Sequence, residues 1–231
     1  MDRQRLASGE QKPRREERRD ALHNRQCLLQ TAEALFAERG VEAVTMTEIA
    51  RVAGVGQGTL YRHFAHKGEL FEALLSPHFQ HFQEEANANF GYDEATTNPL
   101  QLVHLFLMYF ARFIEEHTAY LQALYTAYQT QGGLSFYQCA GHQWNKEWIN
   151  RALQNAVTVG ACRADLDSDY LADALLAPIQ VDLYLYQRHI LGWSVERIVT
   201  GLSQLVEGLA KCPSHPLEHM VVAIDPERCG R

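Results

Sequence analysis

Gln57, Thr59, Tyr61, Arg62 and His63 lie within one short stretch, and Lys67 follows shortly after. Together they offer amide, hydroxyl and imidazole hydrogen-bonding groups and two fixed cations. That is the chemistry needed to hold phosphate oxygens and to read base edges in a nucleic-acid duplex. Leu60 and Phe64 give the same stretch an apolar side. A short helix from about Gly56 to Phe64 would bury that side and present the other.

A second element has to hold this helix in place. Thr45 followed by Glu48 is a capping-box pattern, which predicts a helix starting at Met46. Ile49, Ala50 and Ala53 supply its inward side, Gly54 ends it as a left-handed residue, and Val55 plugs the turn. Two short helices joined by a tight turn form a helix-turn-helix whose second helix enters the major groove. The same pattern also occurs in all-α cores that touch no DNA, so spacing alone leaves both readings open. Upstream, Leu28, Leu29, Ala32, Leu35 and Phe36 recur at helical spacing and Gly40 follows. They predict a buttressing helix from about Arg14 or Asp20 to Arg39 and a three-helix unit over about residues 20–64. Arg14, Arg15, Arg18 and Arg19 are mixed with Glu16, Glu17 and Asp20. They read either as an arm that reaches a neighbouring groove or as a solvated helix end.

The run Ile49-Ala50, Ala53-Gly54-Val55, Gly58-Thr59-Leu60-Tyr61-Arg62-His63-Phe64, Lys67 and Leu70 resembles the DNA-binding signature of the tetracycline-repressor (TetR) family of bacterial transcription regulators. The match covers about the first quarter of the chain. Beyond it the chain is similar to the family only in its helical layout. The resemblance implies DNA contacts from Thr45, Thr47, Gln57, Gly58, Thr59, Tyr61, His63 and Lys67. Tyr61, His63 and Lys67 are expected to clamp phosphates, with Lys67 at a helix N-terminus, while Gln57, Gly58 and Thr59 lie nearest the bases. One departure is Gly56, where related sequences usually carry Ser or Thr. Gly supplies no capping oxygen, and a second glycine at Gly58 lowers helix propensity further. The recognition helix is therefore expected to fray without DNA, and Gly58 to allow close approach to the duplex.

Bulk properties set the bounds. The chain has 231 residues, 46% of them apolar, and a net charge of −7. That is enough for one or two cored domains and argues against a general nucleic-acid coat. Residues 1–70 balance at +2 and the remainder at −9, a mildly basic head on an acidic body. No apolar run reaches membrane-span length and the N-terminal stretch is polar, so a cytoplasmic location and no membrane partner are expected. Cys27, Cys139, Cys162, Cys212 and Cys229 are widely spaced, which reads as reduced thiols rather than a disulfide framework. His78, His81 and Glu85 share a helical face, but three ligands without a second cluster support no metal site. No cofactor is expected either.

The remaining chain reads as helices. One runs from Lys67 to about Phe90, followed by a loop over Gly91 to Pro99. The next elements run from Pro99 to Glu116, from Ala119 to Thr130, and from Leu134 to Val159 after the Gly132-Gly133 break. Phe106, Tyr109, Phe110, Phe113, Tyr125, Trp144 and Trp148 read either as core filling or as walls of a cavity for an amphipathic or aromatic molecule. A ligand pocket in the body is what the resemblance implies. Asp167 or Ser168 should cap a long helix bent at Pro178 and ended by Gly192. Ser194 should cap the last one, in which Gly201 and Gly208 permit close approach. Leu171, Leu175, Ile179, Ile198, Leu202, Leu205 and Leu209 form a near-heptad pattern. They are expected at the interface of a two-fold homodimer, with closure of a monomeric core as the other reading.

The expected fold class is all-α: an N-terminal three-helix helix-turn-helix domain joined to a larger C-terminal helical ligand-binding and dimerisation domain, about nine helices in all. The expected division is an arm over 1–13, a DNA-binding domain over 14–66, a ligand-binding and dimerisation domain over 67–212 and a tail over 213–231. The expected function is a regulator, a repressor, that leaves a palindromic double-stranded DNA operator when a small effector binds. The alternative is a helical small-molecule binder or enzyme retaining a vestigial helix-turn-helix, and a regulator with a redox trigger at Cys139 or Cys162 is a variant. No nucleophile elbow, phosphate loop or metalloenzyme ligand pair occurs, and no catalytic residue is expected.

Overall fold

The computed structural model describes residues 11–89, 98–129 and 137–210, with side chains from residue 19 onward. The α-helices are α1 (Gln11–Arg39), α2 (Met46–Val52), α3 (Gln57–His63), α4 (Lys67–Asn89), α5 (Pro99–Glu116), α6 (Thr118–Gln129), α7 (Ala140–Thr158), α8 (Ser168–Leu176), α9 (Val181–Leu185) and α10 (Val195–Glu207). No strand occurs among the described residues, and no helix there is long and apolar enough to cross a membrane. The fold is all-α, as expected.

Local chemistry sets most of the boundaries. The Thr45 side chain accepts from the Glu48 backbone N–H at the start of α2. Asp167 and Ser194 do the same for Tyr170 and Arg197 at the starts of α8 and α10. Each satisfies an N–H that the first turn leaves without a partner. Gly54 closes the α2–α3 turn at φ +69°, and Gly192 ends the segment before α10 at φ +65°; both values lie in the left-handed region that favours glycine.

Packing divides the described residues into two units: those within 1–83 and 116–139, and those within 84–115 and 140–231. The first unit has a core of Leu28, Ala32 and Phe36 from α1, Ile49 and Ala50 from α2, Leu60 from α3, Leu70, Phe71 and Leu74 from α4, and Ala123 and Leu124 from α6. Phe36 stacks on Phe71 at 5.3 Å between ring centres. Burying each large apolar side chain contributes roughly 1.5–3 kcal/mol. The expected division at 66/67 separates a reading element by role. The packing division falls elsewhere, because the start of α4 and all of α6 share their core with α1.

The second unit is built on α5, α7, α8 and α10, with Phe106, Ile149, Leu153, Leu176 and Val206 buried. It is less regular. The long helix expected to bend at Pro178 is broken instead. After α8 the chain makes a 3-10 turn over Ala177–Ile179, passes through an extended Gln180 (φ −63°, ψ 146°), forms α9, and then a π turn over Tyr186–Ile190. Proline removes one backbone donor from the helical ladder; Ala177 before it stays helical (φ −55°, ψ −43°), and the break comes at Gln180. Side-chain hydrogen bonds hold the broken segment. The Tyr184 hydroxyl donates to the Glu115 carboxylate. Arg188 grips the same carboxylate through two nitrogens, at 2.6 and 3.1 Å.

Three further expectations change. Helix α1 is already formed at Gln11, ahead of the expected start; residues 1–10 lie outside the described residues. Helix α7 begins at Ala140, with Tyr137 and Gln138 in a short turn, rather than at Leu134. Among the expected dimer residues, Leu175, Ile179, Ile198 and Leu202 are 1–5% exposed and belong to the chain's own core, while Leu171 and Leu209 are half-buried. Only Leu205, at 51%, stands out in solvent, as do Leu183, Tyr186, Ile190 and Leu191. A heptad marks an apolar stripe without saying which neighbour covers it. The Gly91 loop residues through Thr97, the Gly132-Gly133 break with Leu134 and Phe136, and the tail with Cys212, Val221, Val222, Ile224 and Cys229 lie outside the described residues.

Candidate nucleic-acid interface

The interface is built on α2, the Gly54 turn and α3. Leu60 is fully buried and Phe64 nearly so, which anchors one side of α3 in the first-unit core. The other side carries Gln57, Gly58, Tyr61 and Arg62, all exposed, with Thr59 and His63 half-buried. Thr45 and Thr47 are exposed at the start of α2. A Cβ added at Gly56 or Gly58 would meet nothing within 4 Å. These glycines are therefore not demanded by the protein's own packing, and their smallness leaves the backbone open to a large partner. Gly56 caps α3 with backbone alone, in extended geometry (φ −63°, ψ 144°).

Two of the expected phosphate clamps have other surroundings. The Lys67 ammonium donates to the carbonyls of Val41 and Val44, both at 2.8 Å. It also lies over the rings of Phe36 and Phe71 at 5.8 and 5.5 Å. Burial lowers its pKa, opposed by Glu42. Lys67 thus ties the first turn of α4 to the α1–α2 loop with two of its three N–H donors. His63 has its pKa lowered by burial first and by the cations Arg62 and Arg25 next, which favours the uncharged imidazole. Its Nε2 is shielded from solvent and has no partner among the described residues. Arg25 of α1 was not legible as part of the site. Its guanidinium carbon sits 5.2 Å from the Phe64 ring centre, a placement that only the folded α1–α3 contact reveals.

The start of α4 is fixed locally. The Glu69 N–H donates to His66 Nδ1 at 3.3 Å, and the Glu69 carboxylate accepts from the Ala65 N–H at 2.7 Å. Glu48, near the start of α2, accepts from Arg39 at 2.8 Å.

In the second unit, Phe106 stacks on Trp148 at 4.3 Å, and Trp144, Phe110 and then Phe113 continue the cluster. Tyr109 is half-buried beside them in sequence, and Tyr125 on α6 belongs to the first unit. Buried Asn145 and Gln187 each hold a side-chain oxygen without a partner among the described residues. Cys162 is buried and its thiol is pushed up by burial, the wrong environment for a redox trigger. No group of three His, Cys, Asp or Glu among the described residues is arranged to hold a metal.

Residues 28–74 match the model for bacterial regulatory proteins of the tetR family. The HTH-type transcriptional repressor KstR2 of Mycobacterium tuberculosis is 34% identical over 146 residues, which are 62% of this chain and 70% of that protein. The chain belongs to the TetR family. As a TetR-family member it is a DNA-binding transcriptional regulator. An HTH-type transcriptional regulator of Staphylococcus aureus (strain MRSA252) is 32% identical over 133 residues, 54% of this chain and 65% of that protein, so the chain spans about two thirds of the length of these curated relatives. Among solved TetR-family structures, Thermus thermophilus FadR in complex with lauroyl-CoA has a TM-score of 0.66 at 17% identity, covering 83% of this chain and 99% of that one. SmeT in complex with triclosan has a TM-score of 0.56 at 21% identity, covering 84% and 99%. At such identities these two likenesses establish the fold.

Proposed function

We propose that this protein is a homodimeric, cytoplasmic, non-enzymatic repressor that leaves its operator when an amphipathic or aromatic small molecule binds the second unit. The observation that carries the reading is α3: anchored through Leu60 and Phe64, with open glycines and a polar exposed side. Gln57, Gly58 and Thr59 face bases, and Tyr61 and His63 contact the backbone. Two copies place two such helices in successive major grooves, which requires half-sites about 34 Å apart or a modest multiple. The exposed apolar residues Leu183, Tyr186, Ile190, Leu191 and Leu205 are the better candidates for the dimer surface, since a patch of that kind calls for a partner.

The effector class is supported by the aromatic cluster around Phe106 and by the lauroyl-CoA and triclosan held by FadR and SmeT. Helix α4 carries residues of both units. An effector that favours one placement of α4 would change the spacing of the paired heads, and only such differential affinity can release DNA. The test begins by selecting duplexes from a randomised pool with the full chain and identifying co-purified small molecules by native mass spectrometry. Adding the identified molecule should weaken the selected complex. Failure to enrich any duplex at low salt would favour a binder with a vestigial head.

A further inference from the structure

The described basic side chains of the first unit fall into two groups. Arg39 and Arg51 face Glu48, at 2.8 and 3.9 Å, and Lys67 is spent on two backbone carbonyls. Arg19, Arg25 and Arg62 have no carboxylate partner among the described residues, and all three are exposed. Two of those three come from different helices and meet at the end of α3: Arg62 lies in its last turn, and Arg25 of α1 lies over the ring of Phe64, which caps it. The Phe64 ring, 2% exposed, lies under the Arg25 guanidinium carbon at 5.2 Å. A ring in that position holds the guanidinium plane by its face and leaves the N–H edges free.

We infer that Arg25 and Arg62 form the phosphate clamp of each head, in the place that the family resemblance gives to Lys67. The ligand is a backbone phosphate of duplex DNA, to which guanidinium edges donate paired hydrogen bonds. The two arginines come from different elements, so one phosphate would fix α1 and α3 together in register on the duplex. Helix-dipole stabilisation explains a cation in the last turn of α3, but not the arginine that α1 brings to the same end of α3. The inference rests on the DNA-binding reading and goes beyond it by relocating the charge contact.

The experiment uses the full-length protein and the duplex it enriches most strongly from a randomised pool, with affinity followed by fluorescence anisotropy over a KCl series. Arg25→Gln and Arg62→Gln should each weaken binding about tenfold and flatten the slope of log affinity against log salt by about one for each head engaged. Arg25→Lys should keep the slope, because the charge remains. Lys67→Met should lower the melting temperature and leave the slope as in wild type. A wild-type slope in both glutamine variants, with Lys67→Met flattening it by one, would overturn the assignment. Melting curves of Arg25→Gln and Arg62→Gln separate lost contact from lost fold, and Arg62, exposed on α3, gives an independent reading if Arg25→Gln unfolds. If the wild-type protein enriches no duplex at all, the DNA-binding reading itself fails, a result distinct from unchanged slopes.

Discussion

The two packing units solve the same problem by opposite means. The first keeps its core apolar, with Leu28, Ile49, Leu60 and Leu70 fully buried, and puts its polar groups outside or into caps. The second buries His142, Asn145 and Gln187, threads a Tyr184–Glu115–Arg188 network through a broken helix, and pairs His104 with Ser203 at 2.9 Å. An apolar core with capped helices gives one rigid answer, as a reading head requires. Buried polar groups in a segmented scaffold are costly unless satisfied, and they cluster where shape must respond to something else.

The sharpest way to break that contrast is a cavity in the head. Ile49→Ala should cost about 2–5 kcal/mol in urea denaturation and abolish binding to the selected duplex. Retained binding would mean that the head does not depend on a tight core. Gly54→Ala should cost about 1–2 kcal/mol, because φ +69° strains any Cβ, and its side chain would meet nothing within 4 Å. The loss is therefore backbone strain alone, and thermal melting measures it. In the body, Tyr184→Phe removes one donor to Glu115 and should cost about 1 kcal/mol. Arg188 still holds that carboxylate, so a much larger loss by the same measurement would show the network to be cooperative.

Acid should soften both units. Burial lowers the pKa of His104 and His142 in the body and of His63 and His117 in the head. The unfolded chain therefore takes up these protons at higher pH than the folded one. Stability from this source is complete above about pH 6.5 and is lost as pH falls below it. Glu115, held below the usual carboxylate range by Arg188 first, adds a further loss at lower pH. His104→Gln should shrink the first loss in denaturation curves taken on either side of that value. The smallest effect belongs to Gly56→Ser, which adds a capping oxygen where the backbone is already extended. It should stabilise α3 by a few tenths of a kcal/mol, seen as slower amide exchange.

What was legible in the chain alone was local. Thr45 with Glu48, Gly54, Asp167, Gly192 and Ser194 act within one turn of their own position, and the helix ends they imply are present. The carbonyls that hold Lys67, of Val41 and Val44, are distant in sequence, and nothing near Lys67 announces them. Arg25 was missed for the same reason, since its seat on Phe64 exists only once α1 crosses α3. Leu175 and Ile198 were placed at a surface because an apolar period carries no address. Pro178 signals a disturbance, but whether a helix bends or breaks depends on the packing around it, here with Tyr184 and Arg188 held on the distant Glu115. Pro77 passed unnoticed inside α4, where the helix continues through it.

The head is assembled from two separated stretches, because Ala123 and Leu124 of α6 close the same core as Leu28 and Ile49. A gene fragment ending at residue 66, or even 83, would encode the whole reading helix and still leave that core uncapped. During synthesis the amino-terminal helices must wait, partly unroofed, until the ribosome has delivered α6. A chain cut short before α6 therefore carries the reading helix on an unfinished core.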